Sequence, residues 1–313
     1  MSSIDAYLSN PLWLAPMAGV TDRAFRALCI EHGSGLTCTE MVSAAGLAHG
    51  NARTWQLVEP AAEEARLAVQ LFGADAATMA AQASAVAERL GPRLALVDVN
   101  MGCPVKKVVK KGEGAALMCE PERAAGIVAA LVAVLGDVPV TAKFRTGWRT
   151  GEETVVEFAK RLEQAGAALL SVHGRSAQQM YAGSADWGAI ARVKRAVAVP
   201  VAGSGDVFTH EATCELLRQT GADVALVARG ARGNPWVFSG LQPSARQRIA
   251  VMRRHFGLYV RYEGDGHLSP LRTQFAGYVR GLPGASEFRR QLSACSTPAD
   301  FEALFAGAES RLS

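Results

Sequence analysis

The sequence predicts a closed (β/α)8 TIM barrel over residues 1–240, followed by a small helical domain over residues 241–313. Three observations carry that prediction. Eight short apolar runs recur in the first part of the chain, each followed by turn residues and a longer amphipathic stretch. The turn after the first run, "PMAGVTDRAF", lacks the glycine fingerprint that an open doubly wound sheet would place there. The alternation then stops after "RGARGNPWVF", and helical spacing takes over.

The runs are "LWLA" (12–15), "LTCTEM" (36–41), "LAVQLF" (67–72) and "LALVDV" (94–99), then "VPVTAKF" (138–144), "ALLSVH" (168–173), "VPVAGS" (199–204) and "DVALVA" (223–228). Each is short and nearly continuous in apolar residues, as a parallel strand buried on both faces requires. Between them, "ADAATMAAQASAVAERL" (74–90) repeats Met79, Ala83, Val86 and Leu90 near a spacing of three to four. "EETVVEFAKRLEQAG" (152–166) does the same and ends at Gly166, a C-terminal cap. Beyond the barrel, 244–264 reads as one helix through Ile249, Met252, Phe256 and Val260. Segments 270–281 and 286–294, joined by "GLPGA", read as two more.

No apolar run approaches the roughly 18 residues of a membrane-crossing helix, and the N-terminus lacks the pattern of a signal peptide. Cys29, Cys38, Cys103, Cys119, Cys214 and Cys295 lie far apart with no C-x-x-C pair. A cytoplasmic protein with reduced thiols and no metal site is expected. The net charge of +4 is unevenly placed. Residues 241–313 hold ten arginines, no lysine and six acids, whereas the first 240 residues hold 23 basic and 23 acidic residues and sum to zero. Such asymmetry points to a polyanionic partner, and a solvated helical surface explains it equally well.

In a barrel, the loops at the C-terminal ends of the strands build the active site. Pro16, Met17 and Ala18 form a small stiff loop that a flat ligand can approach, or an ordinary turn. Gln70 puts an amide into an apolar strand, where a ring with donors and acceptors would supply its partners. Lys143 lies inside a strand, which favours an anionic ligand. His173 ends strand six, as a ligand contact or as a satisfied core histidine. Strands seven and eight end in glycine-rich turns with Gly203, Gly205 and Gly230, where backbone N–H groups commonly bind phosphate, and Arg229 adds a forked cation. Flavin mononucleotide (FMN) fits this set, with its phosphate over strands seven and eight.

At this point the chain resembles the tRNA-dihydrouridine synthases over nearly its whole length. The stretches that carry the resemblance are "LAPMAGVTDRAFR", "QLFG", "VNMGCPVKKVVKKGEGAALM", "KFRTGW", "VHGRSAQQMYAGSADW", "SGDVF" and "RGARGNPW". "GYVRGLPGASEFRR" is similar to the bacterial B-type branch. The resemblance implies FMN-dependent reduction of the C5=C6 bond of a uridine in the tRNA D-loop, leaning to position 17, with NADPH or NADH as reductant. It also implies Cys103 as the catalytic acid, and flavin contacts from Pro16, Met17, Ala18, Gln70, Lys143 and His173, together with Ser204, Gly205, Asp206, Ala228 and Arg229. The family commonly has asparagine at the position of Ser204 and glycine at that of Ala228, which bears on flavin affinity.

Cys103 sits between Gly102 and Pro104, with Lys106, Lys107, Lys110 and Lys111 close behind. A general acid must keep its proton, while nearby cations favour the thiolate. The lysines are therefore expected to point away from the thiol, toward RNA phosphates. Asn100, Arg175, Arg253, Arg254, Arg289 and Arg290 complete the expected substrate contacts of a monomer. The competing readings are a flavin barrel acting on a free pyrimidine, as dihydroorotate dehydrogenases do, and a non-catalytic RNA-binding barrel.

Overall fold

The computed structural model describes residues 3–310. All eight apolar runs lie on strands: β1 (Leu12–Leu14), β2 (Leu36–Ser43), β3 (Leu67–Phe72), β4 (Leu94–Met101), β5 (Val140–Arg145), β6 (Leu169–His173), β7 (Val201–Ser204) and β8 (Val224–Val227). Each is hydrogen-bonded in parallel to the next, and β8 closes onto β1. Alternate strand residues divide into two cores. Trp13, Leu36, Ala68, Leu96, Leu169 and Leu226 cluster with Ile4 in the barrel interior. Leu14, Leu67, Val97, Ala142, Val201 and Val227 pack with the surrounding helices. Both faces are thus apolar, which is why the runs barely alternate in sequence.

The helix Ala76–Leu90 buries Met79, Ala83, Val86 and Leu90, as their spacing predicts, and the Asp75 side chain caps it by accepting from the Thr78 N–H. The next predicted helix is shorter than its pattern, running Val155–Gln164. Glu152 turns back and accepts from the Trp148 and Arg149 N–H groups at 2.7 and 2.9 Å, so the preceding residues form a turn. Gly166, with φ 96°, ends the segment as expected.

After the barrel come helices Ala245–Glu263, Ser269–Phe275, Ala285–Ala294 and Pro298–Ser310. The first carries a capping box between Ser244 and Gln247. The second stops at Phe275 rather than near 281, and just beyond it Gly277 packs directly on Gly233 of the barrel: a Cβ on Gly277 would lie 2.6 Å from the Arg232 carbonyl oxygen. The fourth helix has no counterpart in the periodicity reading. It buries Phe301, Leu304, Phe305 and Ala308 in an aromatic cluster with Phe256, Phe275 and Tyr278. That cluster also holds Ala24, Ala27 and Leu28 of the barrel helix Arg23–Glu31. A buried ion pair lies nearby, Arg26 to Glu64 at 2.9 Å, with Thr37 donating to the same carboxylate. All six cysteines are free, and no helix among the described residues is long and apolar enough to cross a membrane.

Candidate active site

A cleft of about 570 Å³ opens at the C-terminal ends of the strands. Every residue expected to touch cofactor, and the expected acid, lines it: Pro16, Met17 and Ala18 after β1, Gln70 on β3, Cys103 after β4, Lys143 on β5 and His173 on β6. Ser204, Gly205 and Asp206 line it after β7, and Ala228 and Arg229 after β8. The Met17 turn is held by Thr21, whose hydroxyl accepts from the Met17 N–H at 3.1 Å.

The thiol loop is pinned from below. Asn100 accepts with Oδ1 from the Gly102 and Cys103 N–H groups at 3.2 and 3.0 Å. Its amide nitrogen donates to Gln70 Oε1 at 2.7 Å, and Gln70 Nε2 donates to Asp98 Oδ2 at 2.7 Å. The expectation that a bound ring would satisfy Gln70 is corrected here. Asp98 and Asn100, its neighbours on β4, partner both ends of the amide, leaving one N–H for a ligand. Asn100, expected as a substrate contact, likewise spends its oxygen on the loop.

Lys143 lies opposite Asn100 in the β4–β5 ladder. Burial, and then the neighbouring Arg145 cation, push its ammonium down to about 8, while Asp98 pulls it back up. His173 is pushed down to about 2, first by burial and then by Lys143, Arg145, Arg175 and Arg229, so its ring is neutral. The cleft therefore presents one labile cation and an uncharged imidazole.

At the ends of β7 and β8, the loops touch closely enough that a Cβ on Gly230 would meet the Val207 carbonyl oxygen at 2.2 Å. The backbone N–H groups of Gly205, Asp206, Arg229 and Gly230 have no partner among the described residues. Three of these residues, Gly205, Asp206 and Arg229, line the cleft, and free N–H groups at two strand ends suit a phosphate. Asp206 has the left-handed φ of 57°, uncommon outside glycine. Burial works against its charge, yet the Ala185 N–H and Arg175 hold its carboxyl below the ordinary range. Its side chain is thus turned to Arg175 (2.7 Å), and only its backbone is available to an anion.

Arg175 does not reach the cleft. It is 2% exposed and bonded to the Ala182 and Gly183 carbonyls as well as to Asp206. Lys106, Lys107, Lys110 and Lys111 are exposed beyond Pro104, on the short helix Lys106–Val109 and the turn after it, and form no ion pair among the described residues. Among the expected arginines, Arg253 pairs with Glu309 and Glu302, Arg254 with Glu31 and Glu63, and Arg290 with Glu287. Arg289 is exposed on the helix Ala285–Ala294. The uncompensated charge gathers elsewhere. Arg232, Arg248 and Arg280 line a second recess of about 360 Å³ that no acidic residue lines, with Arg229, itself paired to Asp206 at 3.4 Å, at its edge. Backbone carbonyls anchor two of them, Arg232 on Thr273 at 2.8 Å and Arg248 on Arg280 at 3.1 Å. Arg248 Nε is buried without a partner.

The sequence reading missed Arg145 and Tyr181, which also line the cleft. Arg145 donates to the Gly102 carbonyl at 2.7 Å, and its guanidinium lies 5.9 Å from the Tyr181 ring centroid. Arg145 was within reach, because it lies two residues after Lys143 and so on the same strand face. Tyr181 sits in an irregular loop and leaves no local signal.

The family model for dihydrouridine synthase (Dus) matches residues 13–311. The probable tRNA-dihydrouridine synthase 1 of Synechocystis sp. is 39% identical over 291 residues, covering 89% of this chain and 80% of that one. The tRNA-dihydrouridine synthase B of Pseudomonas aeruginosa is 38% identical over 305 residues, covering 91% and 89%. A solved structure of histamine dehydrogenase from Rhizobium sp. 4-9 superposes with a TM-score of 0.55 at 11% identity, over 79% of this chain and 49% of that one, a likeness of fold alone.

Proposed function

The chain belongs to the dihydrouridine synthase family, and on that premise we propose that it uses FMN and NADPH to reduce a D-loop uridine of tRNA, with Cys103 as general acid. The observation that carries this reading is the placement of the Cys103 loop on the same cleft as Gln70, Lys143 and the free N–H groups after β7 and β8. Those N–H groups, with Arg229, would hold the phosphate of FMN. Pro16, Met17, Ala18, Gln70 and Lys143 would hold its ring. Bound and reduced, the flavin supplies the hydride for uracil C6.

The remaining work falls to this chain's own groups. Cys103 would hold a proton on Sγ and deliver it to uracil C5, so that one hydride and one proton complete the reduction. Asn100 fixes the loop through two backbone N–H groups, and Arg145 fixes it from the other side through the Gly102 carbonyl. Lys143 would bring a cation to a bound flavin ring as it gains negative charge, and neutral His173 would add none. A uracil inside folded RNA must leave its stack to enter the cleft. The exposed lysines beyond Pro104 and the arginine recess support RNA over a free pyrimidine, because both present cations that a small substrate could not span. Residues 241–313, which supply Arg248 and Arg280, would then serve as the RNA-binding domain.

Stopped-flow absorbance of a Cys103→Ala variant tests the assignment. It should bind FMN and be reduced by NADPH at close to the wild-type rate. Reoxidation by tRNA should slow by about 10²–10⁴-fold, the usual loss for a positioned general acid. Reoxidation at the wild-type rate would remove Cys103 from the chemistry.

A further inference from the structure

The buried carboxylate of Asp98 has no part in the proposed reaction. Asp98, two residues before Asn100 on β4, is 5% exposed in the barrel mouth. Its Oδ2 accepts from Gln70 Nε2 at 2.7 Å, and its Oδ1 from the Thr141 hydroxyl at 2.6 Å. Gln70 and Thr141 are its cross-strand partners on β3 and β5. Burying an ionised carboxylate disfavours folding unless hydrogen bonds and a counter-charge compensate it. Here burial raises the carboxyl's proton affinity, and Gln70, Thr141 and Lys143 recover only part of the loss. Such a residue weakens the fold that contains it.

The hydrogen bonds explain what it does instead, because their direction is forced. Both contacts to Asn100 Oδ1 come from backbone N–H groups, so that atom must be the oxygen. The Asn100 nitrogen therefore faces Gln70, which must offer its oxygen, and the Gln70 nitrogen faces Asp98. A chain of amides running one way needs an acceptor at its end. Thr141 also donates there, so the terminal group must accept on both oxygens, which a carboxylate does without a competing donor. Asp98 and Lys143 also share the walls of a cavity of about 30 Å³ beneath the cleft, with no other acidic side chain lining it.

We propose that Asp98 is a positioning residue with two tasks: it terminates the amide chain that holds the Cys103 loop, and it is the counter-charge that keeps the Lys143 ammonium in place. The charged and titratable groups bearing on Lys143 are Asp98, Arg145, Cys38 and Cys103, with His173 close by on β6. Asp98 is the acid among them. The inference rests on the proposed function only for what the loop and the lysine do once cofactor and RNA are bound.

Two variants separate the tasks in flavin-free protein. Asp98→Asn keeps an acceptor for Gln70 but removes the charge. It should lower the proton affinity of Lys143 at least tenfold, read by ¹³C NMR of the reductively methylated lysine, and leave hydrogen exchange at the Gly102 and Cys103 amides unchanged. Asp98→Ala removes both, and exchange at those two amides should rise at least tenfold above any change in the rest of the barrel. If the alanine variant does not fold, Gln70→Met breaks the middle link and should give the same local rise. Unchanged Lys143 titration in the asparagine variant would overturn the counter-charge role. Unchanged or uniformly raised exchange in the alanine variant, or in Gln70→Met where it takes its place, would overturn the anchoring role. None of these measurements uses flavin or tRNA, so they fail separately from the proposed function, which fails if the wild-type protein makes no dihydrouridine.

Discussion

Replacing Lys143 by methionine is expected to stabilise the flavin-free protein. In the folded state the ammonium titrates at about 8 instead of 10.5, chiefly because burial strips it of water. At about 1.4 kcal/mol per tenfold change in proton affinity, holding that charge at pH 7 costs about 3 kcal/mol. The attraction to Asp98 is already inside this figure, since it is one of the influences that set the value. The figure is an upper one, because the side chain is only partly buried and solvent screens some of the cost. The sign follows from linkage. Below pH 8 the lysine is charged in both folded and unfolded states, and the cost is fully present. Between 8 and 10.5 the folded state loses the proton first, and the cost fades; above that it is gone. Methionine of similar length has no such dependence. Thermal melting of flavin-free protein at pH 7 should therefore favour the variant by about 6 °C, at about 2 °C per kcal/mol for a chain of this size. The gap should close between pH 8 and 10.5. With FMN present the order should reverse, because the wild-type cation then has a partner. A variant that melts at or below wild type at pH 7, or a gap that does not fade with pH, would refute the electrostatic account of Lys143.

The arginine recess makes a contrast that fluorescence titration with tRNA can read. Arg248→Gln with Arg280→Gln should flatten the salt dependence of binding, by about 0.7–0.9 in log–log slope for each lost phosphate contact, whereas Arg254→Gln with Arg290→Gln should leave it unaltered. Glu64→Gln should lower stability by about 3–5 kcal/mol, since it leaves Arg26 charged and 1% exposed without its partner; a melting temperature within a degree of wild type would contradict that. Gly230→Ala should force the β7 and β8 loops apart and weaken FMN at least tenfold, about 1.4 kcal/mol, with little effect on riboflavin, which lacks the phosphate. Equal losses for the two flavins would place the damage outside the phosphate site.

The chain's own residues determined the barrel and most of the cleft floor. A strand buried on both faces must be apolar at nearly every position, so eight such runs could be read directly. For the same reason Gln70 and Lys143 stood out as polar exceptions, and the Gly–Cys–Pro turn marked Cys103 at a strand end. The helix Pro298–Ser310 was missed although Phe301, Leu304, Phe305 and Ala308 keep the i, i+3, i+4, i+7 spacing of a buried helical face, so its signal lay in the sequence; what only packing adds is their partners, Phe256 and Phe275. What only the tertiary structure decided is pairing. Arg253 and Arg254 looked like free charge, yet Glu302 and Glu309 face the first, and Glu31 and Glu63, some two hundred residues away, face the second. The recess that holds uncompensated charge joins arginines at positions 232, 248 and 280, a grouping with no local pattern. Asn100, Gln70 and Asp98 likewise form one directed chain only because two neighbouring strands bring them into register. Hydrophobic periodicity is a property of neighbours along the chain, so it specifies elements and the faces they bury. Whether a charge is neutralised, or which way an amide points, depends on groups that folding brings together from elsewhere.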